Sequence, residues 1–223
     1  MSRLLLIVVF ALLGGWCRAQ GNADPYIRDA DRHFQQMAYA RAVEGYTTAT
    51  ELGAVNEHVT KRLAECQMRL GNSEEAERWY SMVVKFLNRE PRDLFNYAEA
   101  LKSNGKYVEA EEWMDRYLAT TTTDGPPKRS NISGFARKFT ADMDRFTVRG
   151  VSINTPVSDF GVTWIGPDRV AFSSARHGTV GIERRAAWND QPFLDMFVAG
   201  VSPGGDLVDP VLMPGSVNSK MHE

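Results

Sequence analysis

One register of small residues recurs three times along the chain: Ala30, Ala64 and Ala98 stand 34 residues apart, as do Ala42, Ala76 and Ala110. Met37, Gly71 and Gly105 share a second position of that register, and Tyr46, Tyr80 and Met114 a third. Small residues at a fixed interval are what two helices need where their backbones approach closely, and a larger apolar residue fills the layer between. A unit of this length is one pair of antiparallel helices, which cannot bury its apolar face alone and must stack on its neighbours. The register therefore predicts a binding surface rather than a reaction, and it does not name a ligand.

The repeats fall at 23–56, 57–90 and 91–124. In the second, Leu63, Ala64, Gln67, Met68 and Leu70 give the first helix an apolar face, and Gly71-Asn72 breaks it. Ser73 is the expected N-cap of the next helix, with Glu74 and Glu75 at its positive end. The third repeats the design with Leu94–Leu101, a turn at Asn104-Gly105 and a second helix over 107–118. The first has Met37 where the others have the turn glycine.

Residues 120–131 are rich in Thr, Gly, Pro, Lys and Ser and read as a linker. Phe135, Phe139, Met143 and Phe146 then form a helical stripe, expected to lie against the open end of repeat three, so 125–146 is linker plus capping helix. From 147 the pattern becomes β. Val148, Val151 and Ile153 alternate; Val162 and Trp164 face Val170 and Phe172 across the turn Gly166-Pro167-Asp168. Phe193–Val198 and Leu207–Leu212 read as two more strands, after a polar loop at 175–192 that carries Arg176, His177, Glu183, Arg184 and Arg185. The fold class expected is α+β multidomain: an N-terminal α-solenoid of three helix pairs with a capping helix, then an antiparallel β portion at 147–223 with one apolar face. So small a sheet leaves edges open, and the chain is expected to be the N-terminal part of a longer protein.

Residues 1–20 differ from the rest. Arg3 precedes an apolar run from Leu4 to Leu13, and Cys17-Arg18-Ala19 ends in small residues. The run is shorter than the roughly 20 residues a bilayer requires, so it reads as a secretory signal peptide cleaved after Ala19 or Gln20. Lipidation of Cys17 is disfavoured because bulky Trp16 precedes it; Cys66 then stands without an intramolecular partner, beside Ala64, as a buried structural thiol. Lys plus Arg count 26 and Asp plus Glu 28, so no basic excess points to nucleic acid.

The repeat positions match the tetratricopeptide pattern. Ser158-Asp159-Phe160-Gly161, the run Val170 to Arg176, the segment Trp188 to Phe197 and the run Val217 to Glu223 resemble the opening blade of a WD40-like β-propeller of the PD40 kind. Together with a signal peptide and tetratricopeptide repeats, they resemble exported OmpA-family proteins of Bacteroidota-type bacteria, one branch of which is similar to a periplasmic component of type IX secretion. The resemblance implies a non-enzymatic scaffold in the periplasm, associated with the outer membrane only indirectly. Peptidoglycan would be bound through a C-terminal domain absent from these residues. Two other readings stay open: a propeller region of an exported hydrolase or peptidase, and a glycan-binding propeller, for which Trp164 and Trp188, read here as core residues, would have to be exposed.

The histidines His33, His58, His177 and His222 show no metal-ligand spacing, and no CxxC or HExxH occurs. No cofactor is expected. Asp159, Ser174 and His177 lack the turn that would present a nucleophile, and Asp159 reads as a turn cap. Gly200–Gly205 precedes a strand and is no phosphate loop; Asn131-Ile132-Ser133 reads as ordinary loop. The candidate site is instead the face formed by the first helix of each repeat. It takes Ile27, Asp31 and Phe34 from the first, Lys61, Glu65, Met68 and Arg69 from the second, and Phe95, Glu99 and Lys102 from the third. Mixed charges around apolar anchors suit an extended peptide or a helix of a protein partner. Ile27 and Asp31 stand where a clamp for a terminal carboxylate would begin, which argues against that ligand.

Overall fold

A computed structural model describes residues 22–121, 129–141, 143–176, 184–215 and 217–218. The signal peptide with Cys17, most of the 120–131 linker, and His177, Glu183 and His222 lie outside the described residues. The chain divides into two compact units between Ser130 and Asn131.

The first unit is three antiparallel helix pairs: α1 (Asp24–Gln35) with α2 (Tyr39–Glu51), α3 (Glu57–Arg69) with α4 (Ser73–Val83), and α5 (Pro91–Ser103) with α6 (Tyr107–Thr121). Successive pairs pack through α2 on α3 and α4 on α5. The six register alanines are fully buried, as are Tyr46, Leu63 and Val83, with Tyr80 nearly so. Burying each large side chain contributes roughly 1.5–3 kcal/mol, so the apolar faces hold the stack together. Asn56 caps α3 by accepting from the Val59 N–H at 3.0 Å. The expected Ser73 cap is corrected: Asn72 holds that position without a side-chain cap bond, and its Nδ2 donates to Gln67 Oε1 at 2.8 Å instead.

The shared turn position is a left-handed one. Gly71 and Gly105 have φ of 81° and 76°, and Met37, without glycine's freedom, still adopts 59°. A side chain there costs on the order of 1 kcal/mol, which repeat one sustains because the turn closes the same helix pair.

The second unit begins with α7 (Ile132–Thr140), a single 3₁₀ turn at Met143–Arg145, and a four-stranded antiparallel meander. Its strands are β1 (Asp159–Trp164), β2 (Arg169–Ser174), β3 (Asp195–Val201) and β4 (Leu207–Leu212), hydrogen-bonded in that order. Phe172 lies opposite Phe197, their ring centroids 5.9 Å apart. With Val170, Ala199 and Leu207 they form the core. Ala171 and Val198, paired on the opposite face, are buried too, so the expectation of one apolar face is corrected to two.

The stripe of Phe135, Phe139, Met143 and Phe146 falls on α7 and the turn that follows it. Two other expectations change. Val151 and Ile153 pack against the sheet core but belong to no strand, because residues 148–153 find no ladder partner. Trp164 and Trp188, expected in the core, are exposed: the first lies on edge strand β1, the second in a turn.

Asp159 ties the loop before β1 to the end of β2. Its carboxylate accepts from Ser174 Oγ at 2.5 Å, Arg176 Nη2 at 2.8 Å, and Thr155 N and Oγ1 at 2.9 and 2.8 Å. Burial pushes this carboxyl up, but the bonds from Arg176, Ser174 and Thr155 outweigh it and hold the group at about 2. The folded value is depressed below the usual 3.8, so the stabilisation is complete above about pH 4 and is lost as pH falls toward 2. We expect the sheet signal, followed by urea unfolding, to lose roughly 2 kcal/mol across that window. Asp159→Asn should start less stable and show little of that slope; an unchanged slope would contradict the assignment.

Candidate functional site

The first helices α1, α3 and α5 carry the candidate residues, and the structure gives each a partner or a place. Asp31 on α1 is shared: Tyr46 OH on α2 donates to its Oδ1 at 2.5 Å, and His58 Nε2 on α3 stands 2.7 Å from the same oxygen. Burial, then the bond to anionic Asp31, pushes the Tyr46 hydroxyl far above its ordinary value, so it stays a donor. Phe34 lies beneath the Arg62 guanidinium, whose carbon is 4.2 Å from the ring centroid, and Arg62 Nη1 donates to Glu65 Oε2 at 2.9 Å. Ile27, Phe34 and Met68 pack against the helical core.

Lys61 is tied into the fold. Its Nζ is 2.9 Å from Glu90 Oε2 and 2.9 Å from Asp93 Oδ1, both at the start of α5. Burial lowers the affinity of this ammonium for its proton, but Glu90 and Asp93 reverse the sign and raise it. Asp93 is buried, only 1% exposed, and its other oxygen accepts from the Glu90 N–H at 2.8 Å. One lysine thus compensates a buried carboxylate that itself caps the next first helix.

In the third repeat, Phe95 is edge-on to Tyr117 with centroids 5.4 Å apart, and Arg92 stacks 4.5 Å over it. Glu99 and Lys102 pair with each other at 2.5 Å. Arg69 is exposed.

A cavity of about 720 Å³ opens beside α3, lined by Asn56, Glu57, His58, Lys61, Arg62, Glu65 and Glu90. Of the predicted residues it brings together only Lys61 and Glu65. Asp31 and Phe34 reach it through the side chains they hold, His58 and Arg62. Met68 and Arg69 on α3, Ile27 on α1, and Phe95, Glu99 and Lys102 on α5 do not line it. Sequence reasoning missed His58, Arg62 and Glu90. The signal was present, since 58, 61, 62 and 65 lie at i, i+3, i+4 and i+7 on one helical face.

The pocket can present one cation stacked on an aromatic ring, Arg62 on Phe34, beside carboxylates. Ser174 is fully buried and donates to Asp159, while Arg176 occupies the remaining approach. Burial, with Glu65 nearby, pushes the Cys66 thiol up to about 12, which leaves little thiolate at neutral pH. Among the described residues no group of three His, Cys, Asp or Glu side chains is placed to hold a metal ion, and no helix is long and apolar enough to cross a membrane.

No protein-family model and no curated protein matches the chain. Solved structures do. The first tetratricopeptide domain of Spaghetti (RPAP3) bound to an HSP90 peptide is 19% identical, with a TM-score of 0.40, over 55% of this chain and 93% of that one. The Sgt2 tetratricopeptide domain from Aspergillus fumigatus is 13% identical, with a TM-score of 0.41, over 61% of this chain and 92% of its own.

The Lys61–Asp93 pair has a measurable consequence. Lys61→Met leaves Asp93 buried without its cation and should cost about 3 kcal/mol of stability in thermal or urea unfolding. Adding Asp93→Asn, which keeps an oxygen for the Glu90 amide, should recover most of that loss. No recovery would mean that Lys61 acts by packing alone.

Proposed function

We propose that the chain is a non-enzymatic scaffold that binds a protein partner through the first-helix face of its repeats. The observation that carries this reading is the cavity beside α3, where Arg62 on Phe34, His58 on Asp31 and the Glu65 carboxylate converge. Arginine held flat on an aromatic ring with a neighbouring carboxylate offers an extended peptide or helix both apolar and charged contacts. The peptide-bound state of one solved tetratricopeptide domain is in keeping with such a use.

The finer reading concerns the setting. Residues 1–20 direct export, the meander is part of a β-propeller, and the whole serves in an OmpA-family protein of the envelope. Support for it is the signal-like N-terminus and the PD40-like stretches, whose Asp159, Ser174 and Arg176 form one hydrogen-bonded knot. The exposure of Trp164 and Trp188 favours a second reading, a glycan-binding sheet, because stacking on sugars requires accessible rings.

Site-specific photo-crosslinking in cells separates these readings. A benzophenone side chain at Glu57, on the cavity wall, should give a discrete protein adduct that Arg62→Glu abolishes. The same probe at Leu87, which is 96% exposed in a turn, should not. Equal adducts from both positions, or an adduct indifferent to Arg62→Glu, would remove the cavity from the partner site. A glycan array bound by wild type and lost with Trp164→Ala would favour the second reading.

A further inference from the structure

The first helices of the three repeats part company where the cavity opens. Glu57 and Lys61 occupy positions that hold Ala23 and Ile27 one period earlier, and Pro91 and Phe95 one period later. The buried alanines recur in all three repeats, so packing of the helix pairs does not call for charges at these two places. An acid and a base four residues apart on a helix are placed to pair, and Glu57 stands four residues before Lys61. Lys61 instead reaches across to the start of α5, 2.9 Å from both Glu90 Oε2 and Asp93 Oδ1. Glu57 is left without a hydrogen-bond or ion-pair partner among the described residues.

The other cation of the wall is committed too. Arg62 Nη1 donates to Glu65 Oε2 at 2.9 Å, and His58 Nε2 stands 2.7 Å from Asp31 Oδ1. Arg89 and Arg92, close by in sequence, turn to the Phe86 carbonyl and the Phe95 ring and do not line the cavity. The wall and the groups bonded to it therefore hold five carboxylates, Asp31, Glu57, Glu65, Glu90 and Asp93, against the two cations Lys61 and Arg62. Asp93 is buried behind Lys61, but Glu57 and Glu65 are half-buried on the wall and the Glu90 side chain is 68% exposed. A cleft walled by protein focuses the field of such an excess on whatever enters it.

We propose, resting on the cavity as the partner site, that it takes a Lys- or Arg-bearing segment of a protein partner. The cationic group lies among Glu57, Glu65 and Glu90, and a neighbouring apolar side chain covers Arg62 where it rests on Phe34. A carboxylate in the same seat would have to draw Lys61 from buried Asp93 or Arg62 from Glu65, a cost that a cation avoids.

Random dodecapeptides displayed on phage, selected on the full chain, provide the test. The selected clones are sorted by whether Arg62→Glu, which removes the apolar seat, abolishes their binding. Those it abolishes should share a Lys or Arg at one position. As free peptides in fluorescence anisotropy, they should lose at least about tenfold in affinity with Glu57→Lys and several-fold with Glu57→Gln. Exchanging the shared basic residue for Glu should restore binding to Glu57→Lys alone, a pattern that an unfolded variant could not give. Clones that need Arg62 yet share no basic residue, or an exchange that restores nothing, would overturn the proposal and leave the cavity as a partner site. A selection with no clone dependent on Arg62 would overturn both.

Discussion

The helical unit depends on how closely its paired helices approach one another. Six fully buried alanines, two in each repeat, set that distance, and Gly45 shows how little room remains. A Cβ built at Gly45 would lie 2.9 Å from the Ala30 Cβ and 3.2 Å from the Tyr26 carbonyl oxygen. Packing at this density leaves no tolerance for a larger side chain, so the alanine register is a steric requirement rather than a compositional habit. Once the pairs close, Tyr46, Tyr80, Leu63 and Val83 are carried into the space between successive repeats.

Polar side chains then fix the stacking order. Asp31 reaches His58, Lys61 reaches Asp93, and Glu77 reaches Asn104 and Lys106, so each repeat is fastened to the next by a charged group near a helix end. These contacts join residues about one repeat apart, which links the candidate cavity to the fold. His58, Lys61 and Glu90 line the cavity and are also members of the fastenings. A partner entering there would meet side chains already held in place, which lowers the ordering cost of binding. The same feature limits mutagenesis, because Lys61 cannot be changed without exposing Asp93 to an unpaired buried state.

Much of the helical unit was legible because a repeat states its own boundaries. Ala30, Ala64 and Ala98, and the turn position of Met37, Gly71 and Gly105, located the three helix pairs and the turns between their members. The sheet was less so. Alternation identified Val162, Trp164, Val170 and Phe172 as strand residues, but it applies equally to Val148, Val151 and Ile153, which pack without pairing. Alternation records which side chains are apolar and carries no information on ladder partners. Trp164 was misplaced for a related reason: an edge strand and a central strand share a pattern, and only topology separates them. For the candidate residues, their place on α1, α3 and α5 was legible, and which of them converge was not. Which charges converge depended on Lys61 being drawn to Asp93 and Arg62 to Phe34, pairings between elements that one helix's spacing does not encode.

Stability along the solenoid should follow from the same geometry. The middle repeat is covered on both sides, whereas α6 leaves Met114 and Leu118 half-exposed. Native-state hydrogen exchange, resolved by helix, tests this most directly. The account predicts the strongest amide protection in α3 and α4, falling toward α6, with Ala64→Leu reducing protection in α3 and α4 together because the overpacked site loosens both. Protection in α6 equal to that in α4, or a loss confined to α3 in the variant, would contradict the claim that close approach at the register alanines holds the repeats together.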